Sequence, residues 1–167
     1  TITDALGNEI VHHHDELLRL VKEVDANGGV SLYAYDAAGN RVGVTDKNGH
    51  LTQYAYDARG NVVEKTDALG NVTTITYDAD DNPLSRTDAL GNVTAFTYDA
   101  AGNLLTVTDA LGAVTERSYN VLGQPLALTD ALGHVTGYAY DAEGNLATVT
   151  DALGGVINVV TRSPQEG

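Results

Sequence analysis

The chain has 167 residues and a formal net charge of −14, with 18 Gly, nine Tyr against one Phe, and no Cys, Met or Trp. The charge argues against nucleic acid and against anionic membrane surfaces, whose phosphates seek Lys and Arg, and the lack of Cys excludes disulfides and thiol chemistry. No stretch approaches the ~18 apolar residues of a membrane-spanning helix, and an aromatic set made almost wholly of Tyr predicts a thin, half-wet layer rather than a deep core.

Thr1 to Asp4 enter in mid-repeat, without an initiator Met or a signal segment, so a longer parent chain is expected. His14-Asp15-Glu16-Leu17-Leu18-Arg19-Leu20 stands in a slot that later reads Tyr-Asp-x-x-Gly-Asn. Leu18 falls where Gly belongs, and Leu is a poor residue for positive φ. Asp15 to Val24 also fits an amphipathic helix with Leu17, Leu18, Leu20, Val21 and Val24 on one face. Strand is preferred because a 21-residue grid runs through the segment without a gap.

From Tyr35 onward the grid is regular. Tyr-Asp recurs at Tyr35-Asp36, Tyr56-Asp57, Tyr77-Asp78, Tyr98-Asp99 and Tyr140-Asp141, with Tyr119-Asn120 in the same register. A second grid carries Thr-Asp at positions 3, 45, 66, 87, 108, 129 and 150, and Val24-Asp25 fills the missing slot. The array is expected to cover residues 1–162 in about eight repeats, the first degenerate, with 163–167 a disordered tail.

Both grids open segments of the form Asp-x-x-Gly. Asp at the first position of a type I turn accepts bonds from the backbone N–H groups ahead of it. Gly at the fourth accepts positive φ, and the pair closes a β-hairpin with a bulge. Asp36 with Gly39, Asp57 with Gly60, Asp99 with Gly102 and Asp141 with Gly144 are the expected structural turn residues. Fourteen of the 16 Asp open such turns, so the acidity follows from turn chemistry and does not signal a binding site. The intervening runs, such as Val72–Tyr77 and Leu104–Thr108, are β-branched and aromatic, each about 5–6 residues long. The fold class is therefore all-β, an antiparallel β-hairpin repeat array. Because 21 is odd and side chains alternate with period 2, keeping Tyr35, Tyr56, Tyr77, Tyr98, Tyr119 and Tyr140 on one side requires one odd residue absorbed per repeat. Either the two turns differ in register or a strand carries a bulge; a bulge is expected, and would coil the meander into a curved or spiralling sheet.

Tyr-Asp-Ala-x-Gly-Asn followed by Thr-Asp-Ala-Leu-Gly-Asn-Val-Thr resembles the YD, or RHS (rearrangement hot spot), repeat. The resemblance runs from Thr3 to about Val160. Its members include bacterial polymorphic toxins, insecticidal toxin-complex subunits, wall-associated proteins and teneurins. It implies a spiralling β-sheet wound into a hollow shell, which in many bacterial members encloses a C-terminal toxin domain, and hence a secreted or cell-surface bacterial location. The family's closing segment, rich in Asp-Pro, can act as an aspartyl autoprotease. No Asp-Pro occurs here, the prolines being Pro83, Pro125 and Pro164, so no catalytic residue carries over.

Other signals have plainer readings. His12-His13-His14 could hold a metal, but no fourth ligand follows by spacing. Asp78-Ala79-Asp80-Asp81-Asn82 concentrates carboxylates, yet lacks a calcium-loop pattern, and Asp81 simply replaces Gly at the left-handed position. Asn71-Val72-Thr73 and Asn92-Val93-Thr94 are sequons that arise from the repeat consensus. No Ser-His-Asp or Cys-His constellation surrounds Ser31, Ser85, Ser118 or Ser163. No metal, cofactor or catalytic role is expected. The pairs Tyr33/Tyr35, Tyr54/Tyr56 and Tyr138/Tyr140 each share a strand face; they are read as packing between hairpins, with a glycan-stacking platform of an adhesin as the alternative. The expected partners are neighbouring repeats of the parent chain, an enclosed toxin domain, or further copies paired through open sheet edges. Edge pairing predicts concentration-dependent association in light scattering; a monomer at every concentration would overturn it.

Overall fold

A computed structural model describes residues 1–3, 7, 9–152 and 155–158. The expected tail at 163–167 and the turn start Asp4 lie outside the described residues. Among the described residues every regular element is a strand. They are β1 (Ile2–Thr3), β2 (Glu9–His14), β3 (Leu20–Val24), β4 (Val30–Tyr35), β5 (Arg41–Thr45), β6 (Leu51–Tyr56), β7 (Val62–Thr66) and β8 (Val72–Tyr77). There follow β9 (Pro83–Thr87), β10 (Val93–Tyr98), β11 (Leu104–Thr108), β12 (Val114–Tyr119), β13 (Pro125–Thr129), β14 (Val135–Tyr140), β15 (Leu146–Thr150) and β16 (Val156–Asn158). The chain divides into two units, residues 1–76 with 87–91 and residues 77–86 with 92–167. In the first, β1 to β8 pair antiparallel in chain order; in the second, β10 to β16 do the same.

The segment open to two readings is resolved. Asp15–Leu18 is a turn and Leu20–Val24 a strand pairing β2 and β4. Its helical spacing of Leu and Val is overridden by ladder bonds on both sides. Leu18 sits at φ 61 and Asp81 at φ 66, the slots that Gly fills elsewhere at φ between 77 and 93. The left-handed conformation costs an L-residue roughly 1–2 kcal/mol, and Leu18 is 83% exposed, so its side chain returns little in burial. Leu18→Gly is expected to stabilise the protein by about 1 kcal/mol, read as a raised midpoint in urea unfolding; an unchanged or lowered midpoint would contradict the turn geometry.

Both kinds of turn close identically. In the Tyr-Asp turn Asp36 N donates to Asn40 O (3.0 Å) and Gly39 N to Asp36 O (3.2 Å); in the Thr-Asp turn Asp46 N donates to His50 O (3.0 Å) and Gly49 N to Asp46 O (2.9 Å). The odd residue of each repeat is therefore absorbed in a strand. Ala34 pairs Gly43 but Tyr35 pairs Arg41, leaving Val42 as the extra residue. The same skip falls at Val21, Val63, Leu105, Leu126 and Ala147. The Thr-Asp hairpins carry no such skip, with Gly43–Gln53, Val44–Thr52 and Thr45–Leu51 in plain register. Each bulge bends its strand and raises the local right-handed twist.

Although 43% of the residues are hydrophobic, no hydrophobic side chain is fully buried among the described residues. The strand faces differ instead by degree. In β4, Tyr33 and Tyr35 are half-buried while Leu32 and Ala34 are exposed, and β6 repeats the alternation. Each unit is thus a single sheet layer with a half-buried tyrosine face; on the opposite face of the first unit Leu32, Ala34, Leu51, Gln53 and Ala55 are exposed and Gly43 is buried.

Candidate functional site

The features that recur along the described array are the two turns and, from Tyr35 onward, the tyrosine. The turn Asp side chains among the described residues bond back to their own turns. Asp99 Oδ1 accepts from Ala101 N and Asn103 N, both at 2.9 Å, and Oδ2 accepts from Asn103 Nδ2 at 2.9 Å. Asp36, Asp57 and Asp141 make the equivalent bonds to Asn40, Asn61 and Asn145. In the other grid Asp46 and Asp130 place the second oxygen on the Nδ1 of His50 (3.0 Å) and His134 (2.9 Å). These bonds hold the charged form. The Asn103 side chain and then its backbone N–H keep Asp99 below the ordinary carboxylate value, and for Asp46 the His50 backbone N–H is the largest cause. A carboxylate whose lone pairs face backbone N–H groups has little left for a cation. Among the described residues no group of three or more His, Cys, Asp or Glu is arranged to hold a metal. His12 instead meets Glu23 at 3.0 Å and His14 edge-on, with ring centroids 6.2 Å apart.

The tyrosines act across repeats. The hydroxyl of Tyr35 donates to Leu20 O (3.0 Å), Tyr56 to Arg41 O (2.9 Å), Tyr119 to Leu104 O (3.0 Å) and Tyr140 to Pro125 O (2.8 Å). Each acceptor is the residue just before a bulge, where the strand diverges from its next neighbour: β3 pairs β4 only from Lys22 to Val24. The bulge that settles the parity of the repeat opens a gap in the ladder, and the next repeat's tyrosine spans it. For these four the contact that joins neighbouring repeats is a hydroxyl bond to backbone rather than the ring packing expected from the sequence. Guanidinium groups also cover rings in the first unit, Arg19 over Tyr35 at 4.8 Å and Arg41 over Tyr33 at 5.8 Å. A sequence signal for the hydroxyl existed: this slot is Tyr in six successive repeats, while the slot two residues earlier takes Tyr33, Tyr54, Ile75, Phe96, Arg117 and Tyr138. Tyr119→Phe is expected to cost about 1 kcal/mol, the net worth of one hydrogen bond. Tyr54→Phe, whose hydroxyl has no partner among the described residues, should leave the denaturation midpoint unchanged; equal effects would remove the hydroxyl from the account.

The Tyr-Asp turns of successive repeats also meet. Gln124 Nε2 donates to Gly144 O at 2.7 Å, and Asn103 Oδ1 lies 3.4 Å from where a Cβ on Gly123 would stand. Between such turns in the second unit lie two equivalent grooves. One, of about 540 Å³, is bounded by Asp78, Asp80, Asn82, Leu84, Phe96 and Tyr98. The other, of about 460 Å³, is bounded at the matching positions by Asn120, Leu122, Gln124, Leu126, Tyr138 and Tyr140. Burial, and then the charge of Asp78, push the Tyr98 phenol up. Two copies of one groove at a fixed spacing are a product of the repeat and present no reactive pair.

The RHS Repeat family pattern matches residues 14–51, 35–72, 56–87, 77–114 and 119–156, which together make up most of the chain. This chain belongs to the RHS-repeat family. Its fold resembles a chain of the Tc holotoxin pore of Photorhabdus luminescens, with a TM-score of 0.73 at 16% identity over 89% of this chain and 9% of that one. It also resembles chains in crystal structures of TcdB2-TccC3-Cdc42, with a TM-score of 0.59 at 18% identity over 89% of this chain and 10% of that one, and of TcdB2-TccC3 without its hypervariable C-terminal region, with a TM-score of 0.56 at 18% identity over 85% and 10%. This RHS segment therefore spans about a tenth of the chains it resembles. A search of curated protein sequences finds no match.

Proposed function

We propose that this RHS-repeat chain is a wall segment of a shell in a secreted or delivered bacterial protein of toxin type, and that the shell of the parent chain encloses a toxin domain. The observation that carries this reading is the missing core. A sheet with a half-buried tyrosine face, and no fully buried hydrophobic side chain among the described residues, is one layer of a larger structure. The likeness in fold to Tc toxin chains supports the same reading. The turn aspartates and the repeat tyrosines, including Tyr77 and Tyr98, are then structural: the turns end each strand, and Tyr35, Tyr56, Tyr119 and Tyr140 fasten one repeat to the next. The chain is a scaffold in this reading, without a catalytic residue of its own. In the glycan-platform alternative Tyr35, Tyr56 and Tyr140 would offer their ring faces but no hydroxyl donor, because those hydroxyls already donate to backbone carbonyls.

Limited proteolysis of the parent chain tests the reading. An enclosed domain should survive protease until the repeats are unfolded by denaturant, and the isolated domain should be degraded at once. Cleavage of both at equal rates would overturn it.

A further inference from the structure

The slot two residues before each repeat tyrosine faces the same side as that tyrosine and is aromatic or aliphatic in five of the six successive repeats from Tyr33 to Tyr138; in the sixth, position 117 is Arg. Arg117 pairs Leu128 in the β12–β13 ladder. It lies half-buried on the tyrosine face, with its Nη1 inaccessible and without a hydrogen-bond partner. Other guanidinium groups of this chain are engaged: Arg19 bonds Asp15 and Asp36 O, and Arg41 covers Tyr33. Arg117 instead borders a pocket of about 340 Å³ whose wall is otherwise Tyr119, Pro125, Ala127, Leu128, Tyr138, Tyr140 and Leu146. That volume is at the small end of the range for small-ligand sites.

The other polar groups of the pocket are mostly spent. Tyr119 and Tyr140 donate to Leu104 O and Pro125 O. Tyr138 has no hydrogen-bond partner among the described residues and lines the same pocket as Arg117. A buried N–H of a charged group without an acceptor costs stability, and the acceptor that best matches a guanidinium in geometry and charge is a carboxylate. The apolar wall sets what the carboxylate must be attached to.

We propose that Arg117, with Tyr138 and the apolar wall around Leu128 and Leu146, binds a carboxylate borne on an aromatic or branched apolar group. The acidity of the chain does not oppose this, because the carboxylates sit chiefly in the turns, and exposed charges are screened beyond about 10 Å at 0.1 M salt. In the unliganded protein the inaccessible Nη1 of Arg117 has no acceptor, so the site is kept at the expense of stability.

The probe is 3-phenylpropionate, with 3-phenylpropanamide as its uncharged counterpart, followed by the side-chain Nε–H resonances of arginine in a ¹⁵N-labelled chain. The acid should shift the Arg117 resonance saturably, and the amide should bind at least ten-fold more weakly. Arg117→Met should abolish the preference for acid over amide and raise the melting temperature, since it replaces a half-buried guanidinium whose Nη1 lacks an acceptor by an apolar chain of similar length. A shift at Arg117 that never saturates, equal binding of acid and amide, or a lower melting temperature for Arg117→Met would each overturn the site. If Arg117→Met does not fold, Arg117 is structural and the site is likewise overturned. Acid binding is measured without reference to any shell, so its failure and that of the shell reading are separable.

Discussion

Gly102→Val is expected to be the most damaging single change considered for this chain, lowering stability by roughly 2–3 kcal/mol, while Gly43→Val costs little. Gly102 sits at φ 83 at the end of a Tyr-Asp turn, with its N–H bonded to Asp99 O at 3.0 Å. A β-branched residue is a genuine outlier there, whatever space surrounds it. The space is ample: the nearest atom to a Cβ would be Asn82 Oδ1 at 3.8 Å. Gly43 is different in kind. It lies in β5 without positive φ, and a Cβ would meet Ala34 Cβ at 3.4 Å and Leu51 Cδ1 at 3.8 Å. Val at that position gains strand propensity and gives up some fit. The chain contains its own scale for the turn slot, since Gly, Asp81 and Leu18 all occupy it. Gly102→Asn should therefore fall between wild type and Gly102→Val. Urea unfolding of the variants checks this ordering, and equal losses for Gly102→Val and Gly43→Val would refute the turn assignment.

The second large effect is acid unfolding. Asp15, Asp25, Asp36, Asp46, Asp57, Asp67, Asp99, Asp130 and Asp141 are all held below the ordinary value of 3.8. The causes are bonds from the turn backbone and from the residue that follows the turn. Folded-state values below unfolded values mean that, near and below pH 3.8, the unfolded chain binds more protons. The contribution is full above the unfolded value and is lost as pH falls through the folded values. An opposing effect acts at higher pH, because partial neutralisation of a net charge of −14 relieves repulsion. Stability should hold or rise slightly from pH 7 to about 5, then fall below about 4 with a slope steeper than one carboxylate can produce. At 1 M salt the repulsion is screened and the acid limb remains. Asp99→Asn should keep its turn, as Asn120 does with bonds to Leu122 N (2.9 Å) and Gln124 N (3.0 Å), and should reduce the acid slope. A pH profile flat down to pH 2.5 would refute the role of the turn carboxylates.

Much of the fold is legible in the sequence because its information is local. Asp at the turn start and Gly, Asp81 or Leu18 at the left-handed slot act within four residues, so the strand limits follow from the grid. The odd period likewise requires a residue to be absorbed in each repeat. Where it is absorbed was not legible: the two Asp-x-x-Gly turns have the same backbone bonding, and only the pairing of one strand with its neighbour leaves Val42 as the extra residue while keeping the Thr-Asp hairpins regular. The tyrosine hydroxyls follow from that choice, because Leu20 O and Arg41 O need a partner only once a bulge has opened the ladder beside them. Arg117 was visible as a letter, but its isolation depends on which side chains lie across the sheet from it. Length, composition and period thus determined the kind of protein, an acidic turn-rich hairpin array. The tertiary structure alone decided where the bulges fall, which carbonyls the tyrosines reach and where a cation is left unpaired, because each depends on contacts between strands that local chemistry does not encode.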